Sequence, residues 1–315
     1  MFTAQWISTF LYSILRFSTP IIFAALAAAV CKKTGLMNMA IESMMLCAAL
    51  TGVLVSGFTQ SALLGLLGAM LAGVVIGFII SYATFIGSAD LYLTNIALNL
   101  AAAGGTVFVL FLFTGTKSNS AAVIKSLALP SINIPLIKDI PFIGQVISGH
   151  NILTYLAFVA VFLVWVLIYK TRLGLRMRSV SENPDAAASV GISVKKICFT
   201  SFMISGAIAG IGGAFMSMGY VQLFSRDMVA GRGYIGLAAS NMANGSPVGA
   251  LLASLLFGTS SATANTVQTV FSNAPTDFVL MIPYAVTVVG IVLISIINEV
   301  RANNKKKKKA QTSVK

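Results

Sequence analysis

Residues 61–82 read SALLGLLGAMLAGVVIGFIISY. The stretch carries no charged side chain and matches the ~20 residues with which a helix crosses ~30 Å of hydrocarbon. Backbone N–H and C=O groups find no water there, so such a segment satisfies them within its own helix. Comparable apolar segments recur near 10–31, 41–57, 91–113, 151–169, 198–219, 230–245, 248–270 and 278–297. The reading is therefore all-α: a polytopic membrane helix bundle of eight to ten spans. Asn, Glu, Gly and Ser interrupt the segments at 35–57 and 230–245, which are expected as broken or re-entrant helices. The first apolar run has no positive residue ahead of Arg16 and ends in Cys31-Lys32-Lys33 without a small-residue cleavage site, so it reads as a span and not as a signal peptide.

Composition agrees. Of 315 residues, 57% are hydrophobic and 9% charged, with a mean hydropathy of +0.91, whereas soluble domains carry roughly 25% charged residues. No polar block is large enough for a separate globular module, so residues 1–300 form one transmembrane domain and 301–315 a basic tail. The net charge of +13 does not point to nucleic acid, because the cations sit in short clusters between apolar spans with no stacking aromatics among them. Their placement sets topology instead. With the N-terminus outside, Lys32 and Lys33, six cations in 170–198 and seven in 301–315 fall inside, against Lys117, Lys125, Lys138 and Arg226 outside. The C-terminus is then cytoplasmic, with Lys305 to Lys309 near anionic lipid.

Motifs for self-contained chemistry are missing. Thr114-Gly115-Thr116-Lys117-Ser118 lacks the Gly that a phosphate loop places before its Lys. Gly231-Arg232-Gly233-Tyr234-Ile235-Gly236 fits G-x-G-x-x-G, but no βαβ unit surrounds it. Cys31, Cys47 and Cys198 have neither metal nor redox spacing and read as packing residues. No cofactor or metal is implied. The external stretch 114–150, with Pro130, Pro135 and Pro141, is expected to lie extended over the outer face, and His150 to sit at its water edge. Gly73/Gly77, Gly206/Gly210 and Gly245/Gly249 have the small-xxx-small spacing that lets helices approach closely.

Between two spans, residues 171–192 read TRLGLRMRSVSENPDAAASVGI. Asn183 suits an N-cap, Pro184 the first helical position, and Asp185 the positive end of the helix dipole. Ala186 to Ala188 propagate a helix that Gly191 can end in a left-handed turn. A helix of about two turns is marginal alone, which invites a partner on the cytoplasmic side.

This segment resembles the coupling loop of ABC-importer permeases of the branched-chain amino acid, ribose and nucleoside type, G-x-x-x-R-A-x-G-x-N-P-x-A-A-x-x-x-G-I. Gly174, Arg178, Asn183, Pro184, Ala186, Ala187, Gly191 and Ile192 match; Ser179 and Ser181 depart. Residues 35–46, GLMNMAIESMML, resemble the family's G-x-x-N-x-x-x-E-G-x-M-L signature, with Ser43 in place of Gly. Residues 231–258 resemble its G-R-G-[FY]-I-x-L-A-A element and the helix after it, except in the linker Ser240 to Ser246. The likeness is nearest to the nucleoside and simple-sugar branch. It implies a permease that is not itself an enzyme, a cytoplasmic ABC ATPase that hydrolyses ATP, a second permease subunit, identical or related, and an external substrate-binding protein in a bacterial cell membrane. It also implies that Arg178, Glu182, Asn183, Pro184, Asp185, Ala186 and Gly191 form the ATPase-coupling contact.

Independently of family, Asn38 and Glu42 are four apart, as are Asn95 and Asn99, so each pair shares a helix face. A polar stripe in hydrocarbon faces a cavity or another helix. Two readings stand side by side: interhelical hydrogen bonds, with Lys32 or Lys33 within reach of Glu42, or a substrate pathway of Asn38, Glu42, Asn95, Asn99 and Arg232. Amides suit a neutral polyhydroxyl or nucleobase ligand. A simple sugar is the alternative cargo. An ion-coupled secondary transporter would use Glu42, Asp90, Asp227 or Asp277, none of them central in a long apolar run.

Overall fold

The computed structural model describes residues 4–124, 126–133 and 143–270, and beyond them 281–283, 285–286, 288–290 and 292. Among the described residues through 270, eleven α-helices follow one another: α1 (Ala4–Lys32), α2 (Ile41–Thr59), α3 (Ala62–Phe85), α4 (Leu91–Thr114), α5 (Ile143–Ile147), α6 (Ile152–Lys170), α7 (Arg172–Glu182), α8 (Pro184–Ser189), α9 (Val194–Ala214), α10 (Arg232–Met242) and α11 (Pro247–Val270). A π-helix, Phe215–Tyr220, prolongs α9. Among the described residues, seven helices are long and apolar enough to cross a membrane: α1, α2, α3, α4, α6, α9 with its π extension, and α11. A shorter apolar helix is described at Met281–Gly290; the remainder of the segment expected at 278–297, and the tail 301–315, lie outside the described residues.

The segment expected at 230–245 contains only the 11-residue α10, about 16 Å long and half of what a crossing requires. The interruption at 35–57 is local: residues 36–39 have no helical structure, and α2 then runs unbroken.

Helix α1 is the axis of the bundle. Every side chain from Ser18 to Cys31 is buried, which fits a helix apolar on all sides. Helix α3 buries a single stripe, Gly65, Ala69, Gly73 and Gly77, continued by Ile80 and Ser81, and leaves Leu63, Leu67, Leu71 and Val75 exposed. Gly65 meets Gly52 and Ser56 of α2, and from Ala69 onward the stripe lies on α9. A methyl group at Gly73 would overlap the Gly206 carbonyl oxygen, one at Gly77 would sit 2.5 Å from the Phe202 carbonyl oxygen, and one at Gly210 2.6 Å from that of Ala69. Two of the three small-residue pairs thus face each other across one backbone-to-backbone contact. The third does not act this way: Gly245 takes a φ of 66° in the turn between α10 and α11, and Gly249 packs on Ala243 of that turn.

Gly73→Leu is expected to force α3 from α9, because the obstacle is backbone and not a movable side chain; overpacking of this kind costs about 1–3 kcal/mol. Gly104→Leu serves as the control, having nothing within 4 Å of its Cβ position. Thermal unfolding in detergent should show a lowered midpoint for the first variant alone. Equal midpoints for both would refute the close α3–α9 contact.

Candidate functional site

The site is organised by the unwound segment between α1 and α2. Its backbone cannot satisfy itself, and inside an apolar bundle each open carbonyl needs a partner. Asn95 donates to the Met37 carbonyl (3.4 Å) and Asn99 to that of Met39 (2.9 Å). The amides four apart on α4 therefore hold alternate carbonyls of one extended strand of chain. Asn99 also accepts from the Ser43 N–H (3.1 Å) and donates to the Tyr234 hydroxyl (2.9 Å). Asn38 points elsewhere: it donates to Ser205 Oγ of α9 (2.9 Å) and accepts from the Ala40 N–H (3.0 Å). Asn38 and Asn95 are fully buried, and Asn95 Oδ1 has no hydrogen-bond partner among the described residues.

Glu42, in the first turn of α2, reaches the N-terminus of α10. Oε1 accepts from the Gly231 N–H and Oε2 from the Gly233 N–H, both at 2.8 Å. The G-R-G spelling follows from this. Gly231 caps α10 with a φ of 77°, a left-handed conformation favouring glycine, and a Cβ at Gly233 would stand 2.6 Å from Glu42 Oε2 and 2.7 Å from its backbone N. The expected proximity of Lys32 or Lys33 to Glu42 is corrected. Lys32 Nζ donates to Asn241 Oδ1 (2.9 Å) and Lys33 Nζ to the Asn244 carbonyl (3.0 Å). The cause is the direction of α10: its N-terminus meets Glu42, while its C-terminal end lies against the end of α1. A carboxylate at one terminus and cations at the other complement the helix dipole. This also gives the departing linker Ser240 to Ser246 a structural part as the lysine dock.

Arg232 lies between the two glycines that bind Glu42, and its side chain also reaches other partners. It donates to the Val229 (3.0 Å) and Met228 (3.4 Å) carbonyls, and it lines a cavity of about 230 Å³ together with Phe17, Tyr220, Ser261, Asn265 and Gln268. The last three were missed in the sequence. Their signal is the polar density of 258–270, GTSSATANTVQTV, in the second half of an otherwise apolar segment.

The residues expected to make the ATPase contact form two short helices. Asn183 Oδ1 accepts from the N–H of Asp185 (3.1 Å) and Ala186 (3.0 Å), and Pro184 takes the first helical position of α8. Gly191, at a φ of 83°, closes the helix, with Ile192 N–H on the Ala187 carbonyl at 3.0 Å. Glu182, Asn183, Pro184, Asp185, Ala186 and Gly191 are exposed and Ala187 is buried. Arg178 is half-buried, its guanidinium 5.5 Å from the Tyr169 ring. At the junction with the unwound segment, a Cβ at Gly35 would lie 3.4 Å from Ser181 Cα.

The other acidic residues are placed by turns. Asp90 caps α4 through the Leu93 N–H (2.9 Å), Asp227 sits in a turn at a φ of 54°, and Asp277 lies outside the described residues. His150 is buried, not at a water edge. Its ring stacks on Tyr12 at 3.9 Å and Nε2 meets the Val146 carbonyl at 2.9 Å, and desolvation holds its pKa below the usual value.

Six apolar spans and the buried α1 among the described residues define a multi-pass membrane protein. The chain belongs to the branched-chain amino acid transport system / permease component family, which matches residues 10–297; it is a permease component, not an enzyme. It is 31% identical to the guanosine ABC transporter permease protein NupQ of Bacillus subtilis, over 91% of this chain and 92% of that one. It is 33% identical to the nucleoside ABC transporter permease protein NupC of Lactococcus lactis, over 89% and 90%. The glucose ABC transporter permease protein TsgB13 of Haloferax volcanii is 28% identical over 82% of this chain and 70% of its own. In fold, the chain resembles PsaBC from Streptococcus pneumoniae, at a TM-score of 0.53 and 13% identity over 89% and 90% of the two chains.

Proposed function

We propose that this protein is the membrane-spanning subunit of an ATP-driven importer of neutral nucleosides. The near full-length likeness to guanosine and nucleoside permeases carries the cargo class. The pathway chemistry supports it: all five expected polar residues spend side-chain hydrogen bonds on backbone or hydroxyl groups, so they shape the path, and the cavity beside Arg232 carries uncharged amide and hydroxyl groups from Ser261, Asn265 and Gln268. Branched-chain amino acids would need both charged ends neutralised along the way.

The proposed assembly has this chain beside a second permease subunit, an ATPase seated on α8 from the cytoplasm, and a substrate-binding protein outside. The exposed, fully capped α8 supports the ATPase contact. The N-terminus lies outside and the basic tail 301–315 inside, against anionic lipid; the spans number eight to ten once the segment at 278–297 and the half-length α10 are counted.

Competition tests the cargo. In cells relying on this system, labelled nucleoside uptake is expected to fall with excess unlabelled nucleoside and to persist with excess leucine. Stronger competition by ribose would transfer the assignment to simple sugars, and competition by leucine alone would overturn it.

A further inference from the structure

An Asn or Gln side chain turned toward hydrocarbon forfeits its hydrogen bonds, so amides persist in a span where something meets them. In the second half of α11 the threonines meet their own backbone: Thr259 donates to the Leu255 carbonyl, Thr263 to that of Thr259 and Thr266 to that of Ala262, at 2.8, 2.9 and 2.8 Å. Asn265 and Gln268 differ, with no hydrogen bond to any of the described residues. Ser261, Asn265 and Gln268 follow at four and three residues, which puts them on one helix face, and all three line the 230 Å³ cavity.

Two aromatic rings also line the cavity. Phe17 and Tyr220 have ring centroids 6.1 Å apart and planes inclined by 56°, and the Arg16 guanidinium covers one face of Tyr220 at 4.0 Å. The cation on the wall, Arg232, is engaged with backbone carbonyls, and the Glu42 carboxylate occupies the adjoining N–H groups of Gly231 and Gly233. The cavity lining combines apolar rings with donor–acceptor amide groups, a match for a flat, uncharged, hydrogen-bonding ring.

We infer that this cavity is a contact site for the carried solute, of the neutral nucleoside class, with Asn265 and Gln268 bonding the polar edge of the base and Phe17 and Tyr220 packing on its ring. The inference rests on the permease reading given above. In cells carrying the complete transport system, Asn265→Leu/Gln268→Leu should raise the KM for labelled nucleoside about tenfold, the effect of two lost hydrogen bonds, with unchanged protein in the membrane. The Asn265→Cys variant gives a readout independent of turnover, since native Cys31 and Cys198 are buried and Cys47 half-buried. A water-soluble thiosulfonate should label it, and nucleoside, unlike leucine, should slow that labelling. A KM within about twofold of the parent, or labelling indifferent to nucleoside, would overturn the inference. A parent system importing ribose and ignoring nucleoside would refute the cargo proposed above, not the cavity. The same variants assayed with ribose would then decide it, protection supporting solute contact and its absence overturning it.

Discussion

Replacing Asn183, Pro184 and Asp185 by glycine is expected to abolish uptake while leaving the chain inserted in the membrane. Three losses add in one six-residue helix. The Asn183 side chain no longer covers the N–H groups of residues 185 and 186, which costs about 1 kcal/mol; the preset backbone of Pro184 disappears; and the added glycines raise the entropy cost of helix formation by about 1 kcal/mol each. A loss near 3 kcal/mol lowers the helical population of α8 roughly a hundredfold. Little else holds it, since Ala187 is its one buried residue. The consequence reaches inward through α7, whose Ser181 packs against Gly35 at the start of the unwound segment, the stretch whose carbonyls Asn95 and Asn99 secure. Uptake by intact cells and membrane content by immunoblot are the two measurements. Normal uptake in the variant would mean that α8 does not transmit energy from an ATPase.

What could be read in the sequence was what depends on neighbours in the chain. The apolar lengths gave the spans because crossing hydrocarbon is a local demand on some twenty residues. The cap, proline and closing glycine of α8 are likewise chemistry within nine positions, and Asn183 and Gly191 stand as their spelling requires. Partners across the bundle were less legible. Spacing marked Gly73/Gly77 and Gly206/Gly210 equally with Gly245/Gly249, yet only tertiary packing separates a helix contact from a turn glycine. Glu42 was expected near Lys32 or Lys33 because they are close in sequence; it meets residues 231 and 233 because the unwound segment carries α2 away from those lysines toward the start of α10. Asn265 and Gln268 escaped notice because their segment is apolar on average, and polar density within half a helix is diluted by the other half.

The Glu42 fork sets the second large effect. Helix α10 begins inside the bundle: a methyl at Gly236 would stand 2.9 Å from the Ala24 carbonyl carbon, and Ala24 lies well within α1 and is wholly buried. The first N–H groups of α10, which a helix cannot satisfy by itself, need an acceptor there. Glu42 takes two of them at 2.8 Å, each such charged hydrogen bond being worth about 1.5–3 kcal/mol. Glu42→Ala removes both and leaves the buried Gly233 N–H and the half-buried Gly231 N–H without this acceptor, so a destabilisation of about 2–3 kcal/mol is expected. Glu42→Gln keeps one acceptor and turns an NH2 group toward the other N–H, so it should fall between the parent and the alanine variant. Gly233→Ala attacks the contact from the other side, since its methyl would meet Glu42 Oε2 at 2.6 Å. Thermal midpoints of the purified permease should order as parent, Gln, then Ala, with uptake lost in Glu42→Ala and in Gly233→Ala. A Glu42→Ala protein with the parent's midpoint would show that α10 is held by its packing on α1 alone, and the fork would then have no part in fixing the wall on which Arg232 stands.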